Sequence, residues 1–585
     1  MIDYLVGGLL LLGCFFGFFQ NDIYITGWNS LNYLFGNPLD FYDNCKKIQG
    51  HGLFAIANYP PSIFIIFASW LYPFKLLGLI KSPLYFPIYL VYWLKILTSI
   101  IYVATGFVFY RVSQIYNHNK NWGNYVTWLW LTTPLAIFSQ FIFSQYDIFY
   151  VFLSLYGFLS FLKREIYFAS VLFGLAITFK YFPFFVFIPM LFFFEKKIIR
   201  VFINILIFLI PILIIQVLYG HSPAYIEGVM GFSVIGRIFS AALDISGLKI
   251  YYIFAIFTLL SGLAYYIDVS KNIEKNAAYL FLISSLFPFL FITWHPQWLL
   301  FFTPAIVLTT ALSAQLKINK LLTIDLFAML PFIAYVTLVS QNNVDLTMFQ
   351  AKFLHIPFEN SHNIGKLFKF FKGFSSNVYL SIFWGYLLLQ FFIKYTLVSH
   401  KELCIFSKYS YKLVRLRYYI GIAIFLVPAI LIFYLNYKNM GRYLLNITQE
   451  KNFGELTSKR SFEQTFVATG TRLTEVDLLL ATFSRINNKI LYFEILDKNH
   501  KQLGLVKRSA IEILDNSWES FYFSDVKLKK GEKYILRLSS PESAAGNAIT
   551  WWASAKASYK NGIAIIDGIP KNSDFSFRIK FEKTT

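Results

Sequence analysis

Charged residues and cysteines are both scarce in this chain of 585 residues. Only 14% of the residues are charged, well below the ~25% that is usual for soluble domains. The three cysteines, Cys14, Cys45 and Cys404, are too few and too scattered for a disulfide framework or a zinc site. The composition therefore excludes an ordinary soluble multidomain protein and a disulfide-rich secreted domain.

Motifs of nucleotide and metalloprotease chemistry are also missing from the sequence. There is no P-loop, no Gly-x-Gly-x-x-Gly in a βαβ setting, no HExxH and no CxxC pair. No pattern requires a cofactor, and a divalent cation stays open as an alternative. A substrate that is presented on a membrane lipid therefore fits this sequence better than a nucleotide or NAD.

Long apolar runs are abundant instead. Hydrophobic residues make up 57% of the chain, and the mean hydropathy is +0.55. We predict thirteen membrane spans, most with the ~18 or more residues that ~30 Å of hydrocarbon requires, and we expect 182–194, which is short and flanked by proline, to be broken or shallow. The blocks are 4–20, 84–110, 122–140, 146–162, 166–180, 182–194, 201–219, 250–267, 277–293, 298–314, 321–340, 378–398 and 418–436.

The net charge of +21 indicates orientation in the membrane rather than binding to nucleic acid. Residues 61–79 are apolar but contain Pro73 and Lys75, so they either span the membrane or form a re-entrant helix. A re-entrant helix keeps the dense basic loops inside, as the positive-inside rule requires. This rule predicts a cytoplasmic N-terminus and a C-terminal domain outside. We also predict a retained first span, because the N-terminal segment shows no basic n-region and no small-residue cleavage site. The long outer segments are then 21–83, 220–249 and 341–377.

The composition changes at the C-terminal end of the last predicted span. We predict two domains, a transmembrane domain over 1–436 and an extracytoplasmic all-β domain over 437–585. In the second domain short alternating segments such as KILYFEILD and FSFRIKFE are separated by turn signals, a pattern typical of an antiparallel sandwich or jelly roll. Three tryptophans there either stack on sugars or belong to the core: Trp518, Trp551 and Trp552.

Several polar residues lie at the predicted outer ends of spans, where they are costly and therefore candidates for function. Asp22 follows the first span and is either a general base or a residue that only ends a helix in water. Asn58 and Tyr59 precede two prolines, which either stiffen a functional loop or only begin a helix. Gln145 and Asp147 lie in a short turn, where Asp147 alternatively caps the next helix.

Three basic residues and a glutamine complete this set. Lys180 has apolar neighbours on both sides, so its ammonium either needs an anion such as a lipid phosphate or reaches the headgroups. Arg237 lies in an outer loop, where it suits bidentate phosphate binding or is an ordinary surface residue. His295 and Gln297 either bind a phosphate or sugar or belong to an interfacial aromatic belt.

In chain order these signals resemble the C-type glycosyltransferases (GT-C fold), membrane enzymes that use polyprenyl-phosphate sugars. The shared pattern is an acidic residue after the first span, Tyr-Pro-Pro, a Gln-x-Asp-like turn, a lysine and a His-rich turn. The matching positions, within 5–315, are Asp22, Tyr59-Pro60-Pro61, Gln145 with Asp147, Lys180, and His295 with Gln297.

The first outer segment also resembles the mannosyltransferases of GPI-anchor assembly, from Asp22 to Pro38. Two positions depart from related patterns. Gln20 stands where an acidic residue would complete an Asp-x-Asp pair, and Asn58 stands where the dolichol-pathway glucosyltransferases have their catalytic aspartate. The base could therefore be Asp22, or one of Asp40 and Asp43.

The resemblance implies a GT-C-like all-α domain of about 13 helices in which Asp22 is the catalytic base. It implies donor phosphate binding by Lys180, Arg237, His295 and Gln297, and an acceptor site at Asn58, Tyr59, Gln145 and Asp147. The expected partners are a polyprenyl-phosphate sugar, membrane lipid and a glycan, lipid or protein acceptor, in a bacterial plasma membrane. A flippase for lipid-linked sugars is the alternative, although the inverted repeats typical of transporters are not visible in the sequence.

Overall fold

The structure of the chain is a computed structural model. It describes residues 2–18, 21–49, 57–80, 83, 86–231, 233–267, 273–292, 294–312, 315–338, 376–398, 408–440, 443–446, 449–483, 485, 487–513 and 515–581. The chain divides into two compact units, one of residues 1–46 and 56–432 and one of residues 47–55 and 433–585. Gln20, Cys404 and most of the predicted outer segment 341–377 lie outside the described residues.

The first unit is helical, as the apolar runs predict. Pro61, Pro134 and Pro183 each occupy the first turn of a helix, where the missing N–H costs nothing. The helices are α1 (Ile2–Gly17), α2 (Asn21–Phe35), α3 (Phe41–Gln49), α4 (Pro61–Leu76), α5 (Ile88–Tyr116), α6 (Lys120–Leu131), α7 (Pro134–Ile137), α8 (Ile148–Leu162), α9 (Ile166–Ile177), α10 (Pro183–Phe194), α11 (Ile198–Tyr219), α12 (Pro223–Tyr225), α13 (Tyr252–Tyr266), α14 (Ile273–Leu286), α15 (Pro288–Phe291), α16 (Thr303–Ala311), α17 (Gln315–Leu338), α18 (Ser376–Val398) and α19 (Lys408–Met440).

Four described helices are long and apolar enough to cross a membrane, or five if α1 and α2, bent by 62°, form one span. The four segments lie in α5, α11, α17 and α19. Seven further apolar helices have 10–17 residues. At ~1.5 Å per residue these are shorter than ~30 Å of hydrocarbon. A membrane protein with several spans is therefore supported, and the number thirteen stays a prediction.

Proline divides one of the predicted spans. The block 122–140 is not one helix, because α6 ends at Leu131 and Pro134 begins the separate helix α7. A π-helical turn, Phe138–Ile142, follows directly. The ambiguous block 61–79 forms the helix α4, whose 16 residues are fewer than the ~18 that a membrane span requires. The re-entrant helix therefore stays a prediction.

A buried polar network joins three helices away from the predicted site residues. The side chain of Asp325 in α17 accepts hydrogen bonds from Tyr386 Oη at 2.8 Å and Gln390 Nε2 at 3.2 Å, both in α18. Arg417 Nη1 in α19 lies 3.5 Å from Asp325 Oδ2. All four side chains are buried, so their mutual contacts replace the hydration that they lose.

The second unit is rich in antiparallel β-sheet, as the alternating pattern predicts. Its strands are β3 (Tyr443–Asn446), β4 (Lys451–Asn452), β5 (Ser461–Val467), β6 (Arg472–Ala481), β7 (Ile490–Leu496), β8 (Gln502–Ser509), β9 (Ser517–Lys527), β10 (Lys533–Ser539), β11 (Thr550–Ala553), β12 (Ala564–Ile566), β13 (Ile569–Lys571) and β14 (Phe577–Phe581), whereas β1 (Ala242–Ile245) and β2 (Leu248–Tyr251) form a hairpin in the first unit. One sheet of the second unit has the order β13-β12-β5-β10-β7-β8. The other has the order β3-β14-β6-β11-β4, with β9 paired to β6.

The two large sheets share one hydrophobic core. Phe493 of β7 and Phe521 of β9, which belong to different sheets, have ring centroids 4.7 Å apart. Leu478 and Leu536, again from different sheets, are fully buried in the same cluster. Two layers of sheet that cover one core form a sandwich, and the finer jelly-roll assignment stays a prediction.

Candidate active site

The turn between α7 and α8 contains two of the predicted site residues. It begins with the π-helical turn Phe138–Ile142, and Ser144 then adopts the left-handed conformation at φ 60°. Such a conformation costs a non-glycine residue free energy and is found disproportionately at functional sites. Asp147 follows at the N-cap of α8 but makes no side-chain capping bond. The simple capping role that the sequence allowed for Asp147 is therefore wrong.

The carboxylate of Asp147 instead pairs with the ammonium of Lys180. Lys180 Nζ lies 2.5 Å from Asp147 Oδ1 and 2.8 Å from Oδ2. Tyr150 Oη donates a further hydrogen bond to Asp147 Oδ2 at 3.3 Å. Both charged side chains are buried, at 1% and 8% exposure for Asp147 and Lys180. The sequence predicted that the Lys180 ammonium needs an anion such as a lipid phosphate. The structure corrects this, because the Asp147 carboxylate is the partner of Lys180.

Aromatic rings surround the same ammonium. Lys180 Nζ lies 5.7 Å from the ring centroid of Tyr59, 5.8 Å from that of Tyr150 and 5.3 Å from that of Trp298. Cation–π attraction at these distances strengthens when the cation is desolvated, as it is here. Sequence reasoning missed Tyr150 and Trp298 as parts of the site, since 20% of the chain is aromatic and nothing distinguishes these two rings locally.

Asp22 lies on the other side of the same turn. It belongs to the first turn of α2, and its Oδ2 accepts a hydrogen bond from Gln145 Nε2 at 3.1 Å. Asp22 also interacts electrostatically with Tyr59 and Lys180. Gln145 and Asp147 are two residues apart in one turn. Gln145 contacts the predicted base Asp22, and Asp147 contacts the predicted phosphate ligand Lys180.

The two alternative bases lie elsewhere in the first unit. Asp40 is exposed in the 3-10 turn Pro38–Asp40, where its Oδ2 accepts a hydrogen bond from Asn37 Nδ2 at 3.0 Å. Asp43 lies in the first turn of α3. Of the three carboxylates, Asp22 is the one with a side-chain bond into the turn that also contains Asp147.

A cavity of about 140 Å³ opens beside Lys180. It is mostly apolar, with Phe and Ile side chains from four or more segments, and its polar lining includes two predicted phosphate ligands and two predicted acceptor residues. Its lining includes Asn58, Tyr59, Lys180, Phe182, Arg237 and Trp298. At ~10–15 Å³ per water-sized probe, this volume accepts a group larger than a single water.

Arg237 and His295 meet at Trp298 on the wall of this cavity. The guanidinium of Arg237 lies 5.9 Å from the ring centroid of Trp298, and the His295 ring packs edge-on against it at 5.0 Å. Burial, followed by the charges of Arg237 and Lys180, lowers the pKa of His295 from 6.5 to about 4. His295 is therefore neutral at pH 7, so it can donate a hydrogen bond but adds no positive charge.

This lowered pKa predicts a pH-dependent stability. An unfolded histidine takes up a proton near pH 6.5, whereas folded His295 does so only near pH 4, so the unfolded state binds more protons between these values. The free energy of unfolding should fall as the pH drops through this window, and His295→Gln should remove part of the fall. Thermal unfolding in detergent at a series of pH values measures this change in the free energy of unfolding.

The exposed residue His118 gives the matched control for that measurement. His118→Gln should leave the pH profile of the wild-type chain unchanged. An identical pH dependence of stability in wild type and His295→Gln would contradict the lowered pKa of His295.

Gln297 is buried and is not one of the residues that line the cavity. It is 2% exposed, and its backbone carbonyl accepts a hydrogen bond from Ser139 Oγ at 3.3 Å. The side-chain Oε1 atoms of Gln297 and Gln145 are both buried without a hydrogen-bond partner in the part of the chain that the structure describes. Two buried acceptors close to one site are unusual, because unpaired polar atoms of this kind cost free energy.

A metal site receives no support from the arrangement of side chains. Among the described residues, no group of three or more His, Cys, Asp or Glu side chains is placed to hold a metal ion. The Asp147 carboxylate is bound to Lys180.

Comparison with known families gives a match in the central part of the first unit. Residues 59–270 match the sequence model of glycosyltransferase family 87, a family in the GT-C superfamily of membrane glycosyltransferases. The predicted resemblance to the C-type enzymes is thereby confirmed over this segment, which contains Tyr59, Gln145, Asp147, Lys180 and Arg237. No protein with a curated description matches the chain.

Proposed function

We propose that this chain, with its glycosyltransferase segment at residues 59–270, transfers a hexose from a polyprenyl monophosphate to an acceptor outside the cell. The reaction inverts the anomeric centre and serves assembly or decoration of cell-envelope glycans. The family match indicates a membrane glycosyltransferase. The lipid donor, the outer-face location and the inversion are the proposal.

The cavity beside Lys180 is the observation that carries the proposal. Its walls combine apolar side chains such as Phe182 with the cationic groups of Lys180 and Arg237. A nucleotide sugar carries no long hydrocarbon chain that would need such apolar walls. A lipid phosphate has both an anionic head and an apolar chain, so its two parts match the two kinds of lining.

The basic residues would act on the leaving group. As the bond between the anomeric carbon and the phosphate oxygen breaks, negative charge grows on the phosphate, and preorganised donors stabilise it. Arg237 has the planar geometry for bidentate phosphate contacts, and the neutral ring of His295 can donate one hydrogen bond. Lys180 contributes its charge from a position fixed by Asp147.

Asp22 would act on the acceptor. The acceptor hydroxyl oxygen attacks the anomeric carbon on the face opposite the phosphate, and its proton passes to the Asp22 carboxylate. One bond to the anomeric carbon forms and one breaks, so the products are the glycosylated acceptor and polyprenyl phosphate. Gln145 holds the Asp22 carboxylate in place through the 3.1 Å hydrogen bond to its Oδ2.

The four residues predicted for the acceptor site take different parts in this scheme. Asn58 and Tyr59 line the cavity and remain candidates for contact with the sugar. Gln145 orients Asp22, and Asp147 orients Lys180. These last two are therefore positioning residues, because each acts through another side chain.

Sugar transfer by the purified chain tests the proposal. We expect transfer from at least one synthetic polyprenyl-phosphate hexose and none from the corresponding nucleotide sugars, with inversion read from the coupling constant of the product. Transfer from a nucleotide sugar alone would contradict the lipid donor. Movement of the lipid-linked sugar across vesicles without any transfer would instead support the flippase alternative.

A further inference from the structure

A second cleft lies in the β-sheet domain, apart from the cavity already described. It has a volume of about 500 Å³, within the ~300–1,000 Å³ that is usual for ligand sites. Its walls come from β8, from β9 and from the 3-10 turn Ala510–Glu512. All of its lining residues belong to one compact unit, so the cleft is a property of that domain alone.

Alternation along β9 places two aromatic rings in this cleft. Trp518, Ser520 and Tyr522 alternate with the buried residues Glu519 and Phe521, so the first three share the other face of the strand. Tyr522 is 67% exposed, more than any other aromatic side chain in the described part of the β domain. Trp518 is half-buried, and the guanidinium of Arg578 lies 3.7 Å from its ring centroid. This cation–π contact with Arg578 holds the indole of Trp518 in place.

The other two candidate tryptophans have different surroundings. Trp551 is fully buried, stacks on Phe575 at 4.4 Å and donates a hydrogen bond to the Ser576 carbonyl at 2.7 Å. Trp552 is half-buried and donates to Asn516 Oδ1 at 2.8 Å. The core role is therefore correct for Trp551, and neither of these two rings lines the cleft.

The charged groups that line the cleft are balanced in sign and held in place. Arg508 Nη1 lies 2.9 Å from Glu519 Oε2, and Arg508 Nε lies 3.4 Å from Glu512 Oε2. With Lys507, the cleft has two basic and two acidic side chains. This balance disfavours an anionic polymer. Fixed carboxylate and guanidinium groups beside an aromatic face are instead suited to a neutral ligand with many hydroxyls and apolar C–H faces.

We infer that this cleft binds a neutral glycan, with Tyr522 and Trp518 stacking on sugar rings and Arg508 and Glu512 bonding to their hydroxyls. The choice of a glycan over another polyhydroxylated ligand rests on the proposed glycosyltransferase function. The cleft would hold a polymeric acceptor or product, whereas transfer takes place at the separate site near Asp22.

Binding of short neutral hexose oligosaccharides to the intact chain in detergent tests this inference. Isothermal titration without any lipid donor should detect binding to the wild-type chain. Tyr522→Ala and Trp518→Ala should each weaken it at least about fivefold, because aromatic anchors dominate binding sites of this kind. Truncating Tyr522 should leave the fold intact, since its side chain is mostly exposed.

A control variant makes the test decisive. Ile569→Ala removes another exposed apolar side chain, 58% exposed, from a strand that does not line the cleft, and it should bind like wild type. Binding is measured without a lipid donor, so a failure of transfer and a failure of glycan binding are told apart. Binding only to an anionic polymer or a peptide, or equal affinities for Tyr522→Ala, Trp518→Ala and Ile569→Ala, would overturn the inference.

Discussion

Replacing Asp22 by Asn should lower the rate of sugar transfer by about 10²–10⁴-fold, the usual contribution of a general base. The substitution removes the proposed proton acceptor but keeps the shape of the side chain. The amide oxygen of the substituted side chain can still accept the hydrogen bond that Gln145 Nε2 donates to Asp22 at 3.1 Å. The expected loss is therefore in kcat, measured with a lipid-phosphate hexose and a saturating acceptor.

The two other carboxylates of the first outer segment serve as controls. Asp40 is exposed and bonded to Asn37, so Asp40→Asn should retain wild-type transfer. Asp43→Asn, in α3, should do the same. If transfer survives in Asp22→Asn and is lost in either of the others, the base has been assigned to the wrong residue.

Replacing Asp147 by Asn should destabilise the helical unit by about 3–5 kcal/mol, because removing one partner leaves a buried charge uncompensated. In the wild-type chain Lys180 Nζ lies 2.5 and 2.8 Å from the two carboxylate oxygens, and both side chains are almost fully buried. The neutral amide cannot balance the ammonium in these surroundings. Thermal or denaturant unfolding in detergent measures the loss.

A double variant and an exposed ion pair control for this result. Asp147→Leu combined with Lys180→Met removes both charges and should recover much of the stability, although transfer should stay low without the Lys180 charge. Lys46 and Glu227 form an ion pair with side chains 49% and 55% exposed, so Glu227→Gln should cost no more than about 1 kcal/mol. If Asp147→Asn and Glu227→Gln lose the same free energy of unfolding, burial does not determine the contribution of the Asp147–Lys180 pair to stability.

Membrane helices and β-strands are the parts of the fold that local patterns could reveal. Apolar runs around 88–116 and 198–219 are helices long enough to span, and alternation at 490–496 and 577–581 marks strands. Where a helix stops inside an apolar run is harder to predict, because packing rather than hydropathy selects the break. The π-helical turn Phe138–Ile142 and the left-handed Ser144 lie inside such a run.

The order of polar residues along the chain carried the resemblance to the C-type glycosyltransferases and made Asp22, Tyr59, Gln145, Asp147 and Lys180 candidates for the site. Such candidates are visible in the sequence because polar residues in apolar segments are expensive and are therefore few. Each of these residues could be found one by one, since each differs from its apolar neighbours.

Their partners could be found only in three dimensions. Asp147 and Lys180 are 33 positions apart, and Asp22 and Gln145 are 123 apart. Whether a lysine is unpaired or bound to a carboxylate, and whether a ring such as Trp298 lies beside it, depends on how the helices pack. Composition and spacing describe one segment at a time, whereas burial and pairing are properties of segments in contact, so the charge of this site was decided by the tertiary structure.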